Sequence, residues 1–327
     1  MSGTVIERAH REPAANEARP AIVRQLRLEA TGVVSVWLAA PNGNPWPAWE
    51  PGAHIDVLLP NGLTRQYSLC GPPDDRENYR IAVRRDPRSR GGSEYVHAFL
   101  RPGQRVRIRG PRNHFPLGEQ SRYLFVAGGI GITPILAMVR ATAAAGRPWR
   151  LAYGGHRADS MAFTGELAAF GPAVGLYASD RAGRIPLGEL LAEPQPGTGV
   201  YACGPEPLLA ALAEGMAHWP VGSLHTERFV PRPKEIRPDT EFEVVCARSN
   251  RTLTVPPGRS ILDVLGAAGL ATSSSCRAGL CGTCETRVLE GIPDHRDDIL
   301  DEHERAANDR MYVCVSRALG PRLVLDV

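Results

Sequence analysis

A group of closely spaced cysteines constrains this chain more than any other feature. Cys276, Cys281 and Cys284 follow the spacing C-x4-C-x2-C, and Cys314 lies further along the chain. This is the plant-type arrangement for a 2Fe-2S cluster, in which four thiolates hold two irons. Small residues between the cysteines allow the backbone N–H groups to approach the sulfurs. The apolar run 311–315 predicts a strand that carries Cys314 back beneath the loop.

Two other uses of these cysteines are weaker interpretations. Structural zinc sites usually combine two C-x2-C pairs, and the sequence has one such pair. A disulfide framework is typical of short secreted chains, whereas this chain has 327 residues and its remaining three cysteines are scattered. The cysteine spacing therefore favours an iron–sulfur cluster in a reducing compartment.

The composition indicates an ordinary globular protein. The length suggests roughly two or three domains. A hydrophobic content of 43%, a charged content of 22% and a net charge of +3 imply no polyelectrolyte partner. No basic run interleaved with aromatics suggests nucleic acid, and no apolar run reaches membrane-spanning length. We expect residues 1–20 to be a disordered leader on a cytoplasmic protein, because they lack an apolar signal core.

The segment 21–118 has the pattern of a small antiparallel β-barrel. Short apolar runs at 33–38, 54–59, 79–83 and 106–108 are separated by turn residues, including two Asn-Gly pairs. Closely spaced strands with little helix are typical of such barrels.

A flavin site is predicted within this barrel. In the predicted strand Arg65-Gln66-Tyr67-Ser68, alternation puts the cation and the aromatic ring on one face, where a flavin phosphate and ring can use them. Gly91-Gly92-Ser93 precedes the helical pattern 94–100, and free N–H groups at a helix start suit an anion. A plain barrel strand and a simple helix cap are the alternatives. The other candidate flavin-binding residues, at the end of a predicted strand, are Ala82, Val83 and Arg84.

The segment 119–229 has the pattern of an α/β domain with a parallel sheet. The buried run 123–127 leads into a glycine turn and then an apolar helix, 135–139. Thr133 is predicted as the helix N-cap and Pro134 as its first residue. A strand, a glycine turn and a helix start form a cradle for a pyrophosphate. The candidate residues are Gly128, Gly129, Gly131, Thr133 and Pro134.

A second part of this dinucleotide site is predicted at Cys203-Gly204-Pro205. Ligands of open α/β sheets bind at the carboxyl ends of strands, and the predicted strand 200–203 ends here. A buried cysteine acting as a small apolar residue is the commoner role. Arg157 and Asp159, which follow another predicted strand, leave the choice between NADH and NADPH open.

The last part of the chain is predicted to be a separate domain. Residues 230–239 contain three prolines among charged residues and are predicted to form a semi-rigid linker. Residues 240–327 are β-rich with one clear helix, 260–268, before the cysteine loop, which is typical of an α+β, β-grasp-like ferredoxin.

From about Ala21 to Val327, the chain resembles the phthalate dioxygenase reductases and their vanillate O-demethylase reductase relatives, with the motifs R-x-Y-S, G-G-S, G-G-x-G-x-T-P, C-G-P and the cysteines in the same order. The resemblance implies FMN in the barrel, NADH in the α/β domain and a C-terminal ferredoxin. It also places Glu227 and Phe229 beside the flavin. Together with Ser68 and Cys203, these are the candidate catalytic residues.

The resemblance implies an oxidoreductase that passes electrons from NADH through FMN and a 2Fe-2S cluster to a terminal Rieske-type aromatic oxygenase or O-demethylase, and that is a monomer when isolated. Two alternatives remain: the same module serving a haem monooxygenase or another acceptor, or a non-enzymatic metal carrier. An acidic run at 297–304 either attracts a basic partner or forms a solvated helix face, and we favour the helix face.

Overall fold

Three β-sheets follow one another along the chain. The computed structural model of the protein describes residues 17–87, 89, 91–232, 237–270 and 272–327. The predicted leader falls mostly outside these residues, and so does the middle of the predicted linker. Within the described ranges, no helix is long and apolar enough to cross a membrane.

The first sheet is an antiparallel barrel. Its strands occur in the order β4-β3-β6-β1-β2-β5, with these bounds: β1 Arg19–Ala30, β2 Val33–Ala39, β3 Ala53–Leu58, β4 Thr64–Ser68, β5 Asn78–Arg84 and β6 Arg105–Asn113. The two edge strands meet through a bridge between Leu69 and Ile81, so the sheet closes. A core of alternating strand residues fills the interior, including Val36, Ile55 and Ile108. Helix α1 (Gly92–Ala98) crosses between β5 and β6.

The second sheet is parallel, with the strand order β11-β10-β7-β8-β9. Its elements are β7 Arg122–Gly128, α2 Ile132–Ala144, β8 Trp149–Gly155, α3 Thr164–Leu167, β9 Val174–Ala178, α4 Leu187–Leu191, β10 Thr198–Cys203, α5 Glu206–Gly215 and β11 Leu224–Glu227. Strand β7 is buried almost throughout, which explains its continuous apolar sequence.

The third sheet is mixed and carries the cysteines, with the order β13-β12-β18-β14-β16. Its elements, including a small β15–β17 pair beside it, are β12 Phe242–Cys246, β13 Arg251–Val255, α6 Ile261–Ala267, β14 Glu285–Glu290, β15 Pro293–Asp294, α7 Glu302–Ala307, β16 Arg310–Tyr312, β17 Arg317–Ala318 and β18 Arg322–Leu325. Ser260 caps α6 by accepting a hydrogen bond from the Asp263 N–H. The predicted fold class, a barrel, a parallel α/β sheet and an α+β ferredoxin, is confirmed.

A buried charge network joins the barrel to the parallel sheet. Arg80 of β5, whose side chain is 5% exposed, donates to Glu29 of β1 at 2.8 Å and to Glu166 of α3 at 2.7 Å. Arg140 of α2 also donates to Glu166, and to the Cys70 carbonyl at 2.6 Å. Arg80 and the Cys70 carbonyl belong to the barrel, whereas Glu166 and Arg140 belong to the α/β domain, so these bonds tie the two sheets together.

The structure differs from the sequence prediction at the start of α2. The helix begins at Ile132 with Gly131 as its N-cap, so Thr133 is not the cap and Pro134 is the third residue of the helix rather than the first. The Thr133 hydroxyl instead donates to the Ile130 carbonyl at 3.0 Å, within the turn that precedes the helix. Three glycines in one turn allow the backbone to enter the helix without a side-chain cap. A rule that looks for Ser or Thr as the N-cap cannot predict such a start.

Candidate redox centres

The four predicted ligand cysteines come together as two pairs of thiols. The Cys276 and Cys281 thiols are neighbours that interact with each other, and so are those of Cys284 and Cys314. Among the described residues, no three His, Cys, Asp or Glu side chains converge as they would around a single metal ion. A two-iron cluster takes two thiols for each metal, so this pairing of the four cysteines fits 2Fe-2S.

The backbone of the loop around these sulfurs is shaped for close approach. The Ala278 N–H donates to Cys276 Sγ at 3.3 Å, and the Cys276 N–H donates to Cys281 Sγ at 3.5 Å. Gly279 has φ +69, and an added Cβ would lie 2.9 Å from the Asp297 Cα. A larger residue at Gly279 would therefore be strained both in its backbone and in its contacts.

The apolar run 311–315 predicted that Cys314 lies on a strand, and this prediction is wrong. Strand β16 ends at Tyr312, and Cys314 follows in a turn closed by hydrogen bonds from the N–H groups of Val315 and Ser316 to the Tyr312 carbonyl. The strand brings the chain to the loop, and the turn then points the thiol at Cys284. Apolar character alone could not separate these two roles.

The cysteine loop rests on the end of the barrel through a set of contacts that we call the docking contact. The Ser275 hydroxyl donates to Asp56 of β3 at 2.7 Å, and Asp56 is fully buried. Arg112 of β6 lies 2.8 Å from the same carboxylate oxygen. On the other side of the loop, the His114 ring lies against the backbone at Cys281 and Gly282. The contact joins residues that are 219 positions apart in the chain.

Gly282 shows how tightly the loop meets the barrel. Its φ is +70, and an added Cβ would lie 2.6 Å from His114 Nε2. His114 in turn stacks on His54 of β3, with ring centroids 5.5 Å apart. Burial lowers the pKa of His54 to about 3, so this ring is neutral at physiological pH. The sequence pattern identified none of the docking residues as functional, because their only signal lies in their three-dimensional proximity.

The docking contact adjoins the strand predicted to hold the flavin. His54 pairs with Ser68 across β3 and β4. Ser68 is 5% exposed, and burial raises the pKa of the neighbouring Tyr67, so its phenol stays protonated. The Gln66 amide nitrogen is buried and makes no hydrogen bond within the described chain. A buried polar atom without a partner in the chain is expected on a strand that binds a polar ligand.

The predicted phosphate-binding residues of the barrel are also brought together. Arg65 packs against the glycine turn so closely that a Cβ on Gly92 would lie 2.5 Å from its Nε. Gly91 has φ +90 and precedes α1, while the Ser93 hydroxyl accepts a hydrogen bond from the Asp86 N–H at 3.1 Å. A cation beside backbone N–H groups suits the terminal phosphate of FMN.

A cavity of about 670 Å³ lies along the carboxyl ends of the parallel strands. Its wall includes Gly128, Gly129 and Gly131 from the first glycine turn, Gly204 and Pro205 from the turn after β10, and two residues from outside the sheet, Arg84 and Phe229. An added Cβ on Gly131 would lie 2.2 Å from the Cys203 carbonyl, so the two turns touch. A dinucleotide fits a cavity of this size and position. Ala82 and Val83 instead bury their side chains in the cores.

Cys203 and Glu227 lie side by side at the ends of β10 and β11. Burial raises the pKa of Glu227 to about 8, and one of its carboxyl oxygens is buried with no hydrogen-bond partner in the described chain. Burial, with the adjacent Glu227, also raises the pKa of Cys203. Both groups are therefore neutral near pH 7. Phe229 is 42% exposed over the cavity, whereas Ser68 lies in the barrel outside the cavity wall.

The acidic run near the cysteines is only partly a solvated helix face. Asp297 is buried and accepts hydrogen bonds from two backbone N–H groups, at 3.1 and 2.9 Å. Asp298 has a side chain that is 1% exposed and pairs with Arg232 at 3.0 Å. Asp301 and Glu304 form a capping box at the start of α7. The helix-face interpretation is wrong for Asp297 and Asp298, because these carboxylates hold the loop that packs on Gly279.

Comparisons with known proteins agree with this geometry. The model of the 2Fe-2S iron-sulfur cluster binding domain matches residues 244–319. The reductase subunit of phthalate 4,5-dioxygenase from Pseudomonas putida is 41% identical over 304 residues, which cover 91% of this chain and 93% of the relative.

Two solved structures extend the agreement to the whole fold. Phthalate dioxygenase reductase, described as a modular structure for electron transfer from pyridine nucleotides to [2Fe-2S], has 36% identity and a TM-score of 0.72, covering 95% of this chain and 98% of its own. An intact type IV self-sufficient cytochrome P450 monooxygenase has 43% identity and a TM-score of 0.88. The match covers 97% of this chain but 43% of that longer one. The chain therefore belongs to the phthalate dioxygenase reductase family of flavin and 2Fe-2S oxidoreductases.

Proposed function

We propose that this chain is the reductase component of a two-component oxygenase. It takes electrons from a reduced nicotinamide dinucleotide and delivers them, through FMN in the barrel and the 2Fe-2S cluster, to a terminal Rieske-type aromatic oxygenase or O-demethylase. The relative from Pseudomonas putida is named as a reductase subunit of such a system, which supports this class of partner.

The observation that carries the proposal is the contact path from the flavin strand to the cysteine loop. Ser68 pairs with His54, His54 stacks on His114, and His114 lies against the Cys281 backbone. A carrier that only bound metal would have no need for a buried polar contact between its cysteine loop and a second domain. This path supports a direct transfer of electrons between the proposed flavin site and the cysteine loop.

The residues of the barrel hold the flavin by its two ends. We assign Arg65 and the backbone N–H groups at Gly92 and Ser93 to the phosphate, and Gln66, Tyr67 and Ser68 to the ring. When bound, a flavin accepts electrons in pairs and releases them singly, which matches a cluster that takes one at a time. These residues bind and orient, and no nucleophile is required.

At the nicotinamide end, Cys203 and Glu227 lie behind the cavity wall rather than in it, and Cys203 is fully buried. The thiol of Cys203 and the carboxyl of Glu227 carry no charge near pH 7. Neither group therefore adds a negative charge that would retain the positively charged nicotinamide product. A protonated Glu227 can donate a hydrogen bond, for instance to a carboxamide oxygen. Phe229 covers the cavity mouth and would have to move aside when the nicotinamide enters.

Spectroscopy of the purified protein tests the proposal. We expect about one FMN and two irons per chain, together with bleaching of both absorption bands after anaerobic addition of the reduced dinucleotide. Reconstitution with a Rieske-type oxygenase should then give turnover of an aromatic substrate. Protein that holds iron but no flavin, and that oxidises no nicotinamide, would refute the reductase assignment and favour a metal carrier.

A haem monooxygenase is the second candidate acceptor. The specific observation in its favour is the TM-score of 0.88 with part of the self-sufficient cytochrome P450 monooxygenase chain. Reduction of a P450 haem in preference to a Rieske centre, each supplied at equal concentration, would select this acceptor.

A further inference from the structure

The strand order of the parallel sheet divides the large cavity into two halves. The order β11-β10-β7-β8-β9 reverses direction between β7 and β10, and dinucleotides lie across such a reversal. The nicotinamide half lies toward β10 and β11, where Cys203 and Glu227 end their strands. The adenosine half must then lie over the ends of β8 and β9.

Side chains at this second half form an ordered polar group. His156 follows β8 and Ser179 follows β9, and both line the cavity. The His156 Nδ1 and Ser179 Oγ atoms are 3.3 Å apart, and the Ser179 N–H donates to the Gly155 carbonyl at 2.9 Å. Arg184 lines the same cavity, and its neighbour Ile185 packs against the end of β8, since a Cβ on Gly154 would lie 3.0 Å from the Ile185 side chain. Arg184 takes part in no ion pair among the described residues.

The charge at this position differs from that of a site for NAD. A carboxylate after the second strand of such a fold normally accepts a hydrogen bond from the ribose 2′-hydroxyl. Among the described residues of the cavity wall the one carboxylate is Glu206, which starts α5 after β10 and pairs with Arg228 at 2.9 Å, so it lies on the nicotinamide side. Asp180 follows Ser179 but lies outside the wall, and Asp159 is held by Arg157 in a two-point pair at 3.0 and 2.8 Å. The two residues that left the nucleotide choice open in the sequence therefore neutralise each other.

We propose that His156, Ser179 and Arg184 form a binding subsite for the 2′-phosphate of the adenosine ribose. A guanidinium binds a phosphate with paired, charge-assisted hydrogen bonds, and the hydroxyl and imidazole supply further donors. The inference rests on the proposed function and deepens it: the dinucleotide that this reductase uses is NADPH rather than NADH.

Calorimetric titration of the flavin- and cluster-loaded full chain tests the subsite apart from turnover. The probes are 2′,5′-ADP, which carries the 2′-phosphate, and 5′-AMP, which lacks it. We expect 2′,5′-ADP to bind about tenfold or more tightly, the size of one strong charge-assisted contact. The apparent KM for NADPH should be lower than that for NADH by a similar factor.

Two variants and a control locate the effect. Arg184→Ala should weaken 2′,5′-ADP binding by about tenfold, and Ser179→Asp should reverse the preference by placing a negative charge against the phosphate. Arg181→Ala is the matched control, because Arg181 is an exposed arginine in the same loop that does not line the cavity. It should change neither titration.

Failure of the subsite and failure of the reductase function give different results. Equal affinity for 2′,5′-ADP and 5′-AMP would overturn the subsite, and the function would still stand if NADH reduced the flavin. Tight 2′,5′-ADP binding that is lost in Arg184→Ala but kept in Arg181→Ala would support the subsite. Failure of both NADH and NADPH to reduce the flavin would refute the function, and the binding result would still support the subsite.

Discussion

Removing a single hydroxyl from the docking contact should loosen the cysteine loop on the barrel. Ser275→Ala deletes the 2.7 Å hydrogen bond to the buried Asp56 carboxylate. A hydrogen bond to a charged group contributes about 1.5–3 kcal/mol. The equilibrium between docked and undocked loop should therefore shift by roughly 10- to 150-fold toward the undocked state.

Hydrogen exchange of the loaded protein measures this shift directly. Backbone amides of the segment 275–284 should exchange faster in Ser275→Ala, up to the same factor, while the iron content and the rate of flavin reduction stay unchanged. Reduction of the cluster by the flavin should slow in stopped-flow traces. Ser273→Ala is the matched control, since Ser273 is exposed in the same loop. Equal exchange rates in the wild type and both variants would refute the energetic role of this contact.

Three further perturbations probe other parts of the relay. Ser68→Ala should slow flavin reduction by the dinucleotide and leave the cluster spectrum intact; unchanged kinetics would remove Ser68 from the mechanism. Gly282→Ala forces a Cβ to within 2.6 Å of His114 Nε2 in a φ +70 backbone, and should lower both cluster content and melting temperature. Gly266→Ala, where the Cβ meets open space on a helix, should do neither, and equal losses in both variants would contradict the packing argument. The pKa of Glu227 is raised from 4.5 to about 8, so the folded state binds the proton more tightly than the unfolded state, and the stability of the protein falls as the pH rises from 4.5 to 8. Glu227→Gln should therefore flatten the fall in melting temperature between pH 5 and 8. An unchanged slope would show that Glu227 does not ionise in this range.

The parts of the fold that local sequence encodes were predictable. The spacing of Cys276, Cys281 and Cys284 predicted a 2Fe-2S domain without a structure, and the match of that domain's model to residues 244–319 agrees. Strand β7 was visible because burial on both faces demands a continuous apolar run. The glycine turn after it could be recognised for a similar reason, since backbone approach to another chain segment excludes side chains.

Other parts depend on contacts between distant segments and could not be predicted. Asp56 and His114 look like ordinary barrel residues until the cysteine loop is placed on them. Asp297 and Asp298 belong to a charged run that resembles a helix face, yet two backbone N–H groups and Arg232 make their burial favourable. The periodicity of the sequence gives no information on these partners, because each of these contacts between distant segments occurs only once in the chain.

The route by which the chain enters the ferredoxin differs from the surface on which the ferredoxin rests. The polypeptide arrives from the last strand of the nucleotide-binding sheet, but the cysteine loop sits against the barrel. Covalent order and electron path are therefore independent of each other. The docking contact with Asp56 and His114, and not the order of the domains along the chain, therefore sets where the cysteine loop sits.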